Sequence, residues 1–186
     1  AIFHAYHADG AKPVVGISVR DWQHETRFKE VMAEVSDRIV RELSARVVFL
    51  PMQFPEDVRA ADSIAALTKE PCTVLHDEYT TSEFLSLVGN MDLMIAIRLH
   101  ALIFAGVMGV PMIGISYDPK IDRFLDSIGE QPVGSLDTVT ADALMQEVRR
   151  KWQDKAAFRK KNAELLSVLR NLAARNAELA LNLIED

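Results

Sequence analysis

The chain has 186 residues, of which 49 % are apolar and 26 % charged, and its net charge is −6. At about 150 residues per domain this is one globular domain with a real core, which excludes a disordered, collagen-like or low-complexity chain. The acidic balance excludes a general nucleic-acid binder, because phosphates want Lys and Arg, but it leaves room for a local basic pocket that holds a small anion.

A single cysteine, Cys72, provides neither an internal disulfide nor a multi-cysteine zinc site. A reducing cytoplasm is the simplest setting. The opening AIFHAYHADGAKP lacks the basic start and long apolar core of a signal peptide. The longest uncharged stretch, 101–117, has 17 residues, among them Pro111 and three glycines. A membrane span needs about 20 apolar residues, so this stretch reads as a buried helix, a Gly-Val-Pro break and a buried strand.

Strand-length apolar runs alternate with helical patterns. Residues 13–19 (PVVGISV) form the first strand. Residues 25–44 carry Phe28, Val31, Met32, Val35, Ile39 and Leu43 at helical spacing, one face of an amphipathic helix. A strand at 46–50 stops at Pro51, and a helix covers 56–69. A third strand spans 72–76. Thr80 or Thr81 then caps a helix ending at Gly89-Asn90. Strands at 92–97 and 112–116 enclose a short helix at 101–108. Cys72 and the methionines Met91, Met94, Met108 and Met112 lie in apolar segments and read as core.

This alternation predicts a Rossmann-like α/β layer, a parallel sheet with flanking helices, over 13–139, preceded by an N-terminal extension at 1–12. A helical tail follows at 140–186, with a helix at 141–152. A longer helix then places Phe158, Leu165, Leu172 and Leu179 seven apart, Leu169 and Leu183 between them, and Asn162 and Asn176 at the other seam positions. A helix docked on the sheet or on a neighbouring domain fits better than a coiled coil, because two Asn weaken such a seam.

In an open parallel sheet ligands bind beyond the carboxyl ends of the strands. Arg20, Arg98 and Lys120 all follow strands, which suggests a pocket for a phosphate or carboxylate. Arg98 and His100 stand two apart where a buried strand meets a buried helix, so they share one side of an extended segment. The helix start adds free N–H groups and a positive dipole end. Arg offers a planar fork to an anion, and His delivers a proton near neutral pH; the spacing equally allows Arg98 to pair with a nearby carboxylate and His100 to cap the helix. Asp118 fits an N-cap and Pro119 the first helical position. Lys120 then sits at the end of a helix that disfavours a cation unless an anion is present. Trp22 offers a stacking face for a sugar. Asp122 and Arg123 read as surface groups. His76-Asp77-Glu78 are adjacent on a loop and make a poor metal site, and His4, His7 and His24 have no evident partners. No Walker loop, GxGxxG, GxSxG or catalytic Cys-His arrangement occurs.

The run DLMIAIRLHALIFAGVMGVPMIGISYDPKIDRFLDSIG at 92–129, together with GISVRDW at 16–22, resembles the polysaccharide pyruvyl transferase family. It is especially similar to the bacterial enzymes that pyruvylate a secondary cell-wall polymer. The resemblance implies the C-terminal half of a GT-B-like pair of Rossmann-like domains, inactive without its N-terminal half. It implies transfer of pyruvate from phosphoenolpyruvate to a sugar of a lipid-linked glycan as a cyclic ketal, with phosphate released, in a polymer that anchors S-layer homology domains. His100 becomes the acid that protonates the methylene carbon, and Arg98, Lys120 and Arg20 hold the anionic groups. The scheme needs no metal or organic cofactor, because these cations do the charge work. Two other readings stay open: half of a GT-B glycosyltransferase or sugar-nucleotide epimerase, and a non-catalytic α/β interaction domain.

Overall fold

The computed structural model describes residues 12–22, 26–158, 160–164, 171, 174 and 175. Residues 1–11, His24, and the tail positions Leu165, Leu169, Leu172, Asn176, Leu179 and Leu183 lie outside the described residues. In chain order the elements are β1 (Val14–Ser18), α1 (Thr26–Leu43), β2 (Arg46–Phe49), α2 (Glu56–Ala65), β3 (Cys72–Val74) and α3 (Thr81–Gly89). They continue with β4 (Leu93–Ala96), α4 (Leu99–Met108), β5 (Met112–Gly114), α5 (Pro119–Ser127) and α6 (Ala141–Gln153). Residues 155–158 and 160–164 are also helical. Among the described residues no helix is long and apolar enough to cross a membrane.

The five strands are parallel, in the order β3-β2-β1-β4-β5. Apolar side chains on both faces of β1 and β4 require covering helices on both sides. Val15, Ile17, Leu93 and Ile95 face α1, α2 and α6. Val14, Met94 and Ala96 face α3, α4 and α5. Strands 1 to 3 step outward in one direction, and the chain then returns to place β4 on the other flank of β1. The topological switch therefore lies between β1 and β4, where Ser18 and Ala96 are register partners. That is where open α/β sheets place their ligands.

The α4 helix ends as its sequence prescribes. Gly109 takes φ 68°, and the Val110 N–H closes back on the Ala105 carbonyl at 2.8 Å before Pro111 stops the helix. Beneath the sheet's second face, Phe158 is buried in the same core as α4, and buried Asn162 donates through Nδ2 to the Gly106 carbonyl at 2.6 Å. In the described part of the tail, Asn162 thus serves a docked helix rather than a coiled-coil seam.

Three local expectations change. Cys72 is half-buried, because β3 is an edge strand of three half-buried residues. Met108 is exposed at the end of α4. Asp122 is half-buried and accepts from Ser116 Oγ at 3.0 Å. A further strip of chain also pairs beside β5, with Val133 N–H on Gly114 O at 2.9 Å, Ser116 N–H on Gly134 O at 2.8 Å and Leu136 N–H on Ser116 O at 3.1 Å. Pro132 and Gly134 break the apolar alternation there, so periodicity does not mark it.

Gly16 sits where β1 is most tightly covered. A Cβ there would lie 2.8 Å from Met94 Sδ, 2.9 Å from Leu50 Cδ1 and 3.1 Å from Met91 Cγ. Gly16→Ala is expected to destabilise the domain by about 1–3 kcal/mol through overpacking. Urea titration should show a lower midpoint at an unchanged slope.

Candidate functional site

At the carboxyl end of the switch, α4 begins with Arg98 as its N-cap (φ −88°, ψ 118°) and no side chain caps it. The α2 helix, N-capped by Pro55, likewise has no side-chain cap, whereas three other helices use an oxygen. Thr80 caps α3 in a reciprocal box with Glu83, Asp118 accepts from Lys120 N–H ahead of α5, and Thr140 accepts from Ala143 N–H ahead of α6. A guanidinium has no acceptor to offer, so the first N–H groups of α4 stay open to a ligand.

Arg98 is held from β2's side. Its side chain is 14 % exposed, with Nε 3.3 Å from Asp57 Oδ2, and Nη2 donates to Gln53 Oε1 at 3.4 Å. Asp57, 1 % exposed, also accepts the N–H groups of Met52 at 3.1 Å and Gln53 at 2.9 Å. Burial pushes the Asp57 carboxyl above its ordinary range. The Arg98 charge, the two N–H groups and the Arg20 charge oppose that rise without cancelling it. Arg98 Nη1 has no hydrogen-bond partner among the described residues.

Arg20 leaves β1 and reaches over to β5's side. Its Nη1 donates to Tyr117 Oη at 3.3 Å. Its guanidinium carbon lies 5.5 Å from the Trp22 ring centroid and 5.7 Å from that of Tyr117. The two rings stand 4.5 Å apart, tilted by 49°. Arg20 Nε and the fully buried Ser18 Oγ have no hydrogen-bond partner among the described residues.

His100 is exposed in the first turn of α4 and has no partner among the described residues. Lys120 is exposed in the first turn of α5, with Nζ 3.2 Å from Asp118 Oδ2. An internal carboxylate thus supplies the anion that its unfavourable position demands. The Lys120 N–H first, and then its side chain, hold the Asp118 carboxyl below the usual range. Arg20, Arg98, His100 and Lys120 therefore follow three neighbouring strands on one edge. Arg98 is anchored, His100 is free and Lys120 is paired locally. His76 Nε2 is 3.0 Å from Asp62 Oδ1.

Two features escape sequence reasoning. Asp57 looks like any acidic residue in a helix's first turn, and only the folded sheet brings it to Arg98. A cleft of about 430 Å³ lies beyond β5, lined by Trp22, Ser116, Tyr117, Asp122, Ser135 and Asp137 among others. Its far wall is the strip beside β5. On the opposite flank, Met52, Gln53, Phe54, Tyr79 and Phe84 help to line a second cleft of about 340 Å³.

The family profile described as Polysaccharide pyruvyl transferase matches residues 7–119. The chain belongs to the polysaccharide pyruvyl transferase family. The matched span holds Arg20, Arg98 and His100 and ends one residue before Lys120. A search of curated sequences found no match. Among solved structures, this chain is similar to S. aureus MnaA determined with UDP, with a TM-score of 0.66, 10 % identity, and coverage of 87 % of this chain and 42 % of that one. It is also similar to an O-GlcNAc transferase of Thermobaculum terrenum, with a TM-score of 0.60, 16 % identity, and coverage of 84 % and 32 %. The C-terminal domain of a glycosyl transferase group 1 family protein of Francisella tularensis has a TM-score of 0.60, 10 % identity, and coverage of 89 % and 90 %. These neighbours place the sheet in the GT-B glycosyltransferase and epimerase fold. The chain spans less than half the length of the first two.

Removing Asp57 strands the Arg98 charge in a nearly dry setting. Asp57→Ala is expected to cost about 3–5 kcal/mol in chemical denaturation. Because the folded carboxyl titrates above its unfolded value, its favourable contribution is present at low pH and is lost as pH rises through the folded value. Stability measured from pH 4 upward should therefore fall more steeply for the native chain than for Asp57→Asn.

Proposed function

We propose that this domain takes part in transferring pyruvate from phosphoenolpyruvate to two hydroxyls of a cell-wall polysaccharide sugar, with a cyclic ketal as product and phosphate as leaving group. The supporting observation is the start of α4: a helix N-terminus that no side chain caps, opened by an anchored arginine and followed two residues later by an unpartnered histidine. Such a terminus attracts an anion. Phosphoenolpyruvate carries a carboxylate and a phosphate, so it needs more than one cation.

In this reading Arg98 Nη1 and the first N–H groups of α4 hold one anionic group. Lys120 holds the other by exchanging Asp118 for the ligand, and Arg20 adds positive potential from β1. His100 protonates the methylene carbon of the donor, which becomes a methyl group. A sugar hydroxyl attacks the adjacent carbon and gives up its proton to the imidazole. A second hydroxyl then attacks the same carbon, the bond from that carbon to the phosphate oxygen breaks, and phosphate leaves with the remaining proton. The N-terminal half of such a two-domain enzyme supplies the opposite wall, and a lipid-linked glycan is the acceptor. The reaction belongs in the cytoplasm, where phosphoenolpyruvate is made.

The assignment is tested in the two-domain enzyme. Lys120→Ala is expected to weaken phosphoenolpyruvate binding about 10- to 150-fold, the equivalent of losing a charge-assisted contact of about 1.5–3 kcal/mol. Arg98→Lys keeps the charge beside Asp57 but loses the fork, and should also weaken binding. His100→Ala should leave binding nearly intact and slow single-turnover transfer about 10²–10⁴-fold. Unchanged turnover in His100→Ala removes the acid from the scheme.

A further inference from the structure

The cleft beyond β5 has a chemistry unlike that of the α4 terminus. Among the described residues its lining carries three carboxylates, Asp118, Asp122 and Asp137, and no Lys or Arg. Both Asp118 oxygens are engaged, one on Lys120 N–H and one near Lys120 Nζ. The other two carboxylates are hydrogen-bonded within the cleft but keep acceptor capacity. Asp122 uses Oδ2 on Ser116 Oγ, and its Oδ1 has no partner among the described residues. The Ser135 hydroxyl, the Asp137 N–H and the Arg27 charge hold the Asp137 carboxyl below its usual range. It is therefore an ionised acceptor at neutral pH. One wall is aromatic: Trp22 and Tyr117 are half-buried, with Arg20 packed against both rings.

An anion is repelled by such a lining, and a purely apolar group would leave its carboxylates unsolvated. An uncharged sugar ring suits both parts. Its C–H face covers an aromatic ring, while the hydroxyls at its edge donate to Asp122 and Asp137 and to the Ser116 hydroxyl oxygen. The cleft's about 430 Å³ lies within the range of about 300–1,000 Å³ common for small-molecule sites.

We infer that this cleft is the subsite for the acceptor's hexopyranose ring. The inference rests on the pyruvyl-transfer reading above and extends it by giving the acceptor a place on this domain. Arg20 is the positioning residue between the two regions. Its Nη1 fixes Tyr117, and its charge also acts on Asp57. The donor's anions and the acceptor's hydroxyls are thereby sorted by charge along one edge, with His100, which follows β4, between the β1 and β5 contributions.

Saturation-transfer NMR on the 186-residue chain tests this with N-acetylmannosamine, methyl α-glucopyranoside and glucuronate, and phosphoenolpyruvate binding is followed in the same samples by phosphorus line width. The expected result is saturation of the ring protons of at least one uncharged sugar, little for glucuronate, and an at least tenfold loss in Asp137→Asn and in Asp122→Asn. Phosphoenolpyruvate broadening should persist in both variants. Circular dichroism checks that the variants fold, and Trp22→Phe, which keeps an aromatic face, should retain sugar binding. Absence of transfer to both uncharged sugars, or transfer undiminished in the two Asp variants, overturns the subsite. Sugar binding without phosphoenolpyruvate binding leaves the subsite standing and overturns the placing of the donor on Arg98, Lys120 and the start of α4 by this domain alone, so the two failures are distinguishable.

Discussion

A guanidinium kept 14 % exposed must have its charge answered, and Asp57 is what answers Arg98. Taking both groups out of water is costly, and their attraction returns that cost only if the remaining polar atoms are also satisfied. The loop after β2 does this by turning the Met52 and Gln53 N–H groups onto the same carboxylate and the Gln53 side chain onto Arg98. The pair ties the carboxyl end of β2 to that of β4 across β1. It also fixes the direction of the one guanidinium at the start of α4. Without it, the cation at the switch would be an ordinary surface arginine with several rotamers to lose on binding.

Much of the layer is visible in the sequence, because a covered parallel sheet writes itself as apolar runs and its helices as 3.6-residue stripes. Asp118-Pro119 and Gly109-Val110-Pro111 carry their cap and stop in the residue types themselves. Arg20, Arg98, His100 and Lys120 could be placed on one edge from the strand ends alone. Their individual states could not, because those depend on partners distant in sequence. Asp57 meets Arg98 across 41 positions of chain, and Tyr117 meets Arg20 across 97. The strip beside β5 was hidden for a different reason. Pro132 and Gly134 interrupt its apolar pattern, so the sequence there does not read as a strand although its backbone hydrogen-bonds beside β5. The exposure of Met108 and the half-burial of Cys72 follow from being at a helix end and on an edge strand, and local hydrophobicity does not encode either.

The carboxyl edge divides by charge. On the β4 side stand an uncapped helix start and an anchored cation. Beyond β5 stand carboxylates and paired aromatic rings. Arg20 belongs to both regions through its charge and its stacking. A net charge of −6 therefore coexists with a row of cationic side chains at the switch, with one buried carboxylate on Arg98 and a cap carboxylate on Lys120.

Asn162 donates to the carbonyl of Gly106 near the far end of α4, while Arg98 braces the near end through Asp57. A helix clamped at both ends cannot slide or tilt when charge arrives at its start. Its dipole is then oriented before any ligand binds, and little reorganisation energy is spent in responding to charge that develops there. The described tail thus bears on the helix whose dipole points at the switch, since Asn162 holds the end of α4 opposite Arg98.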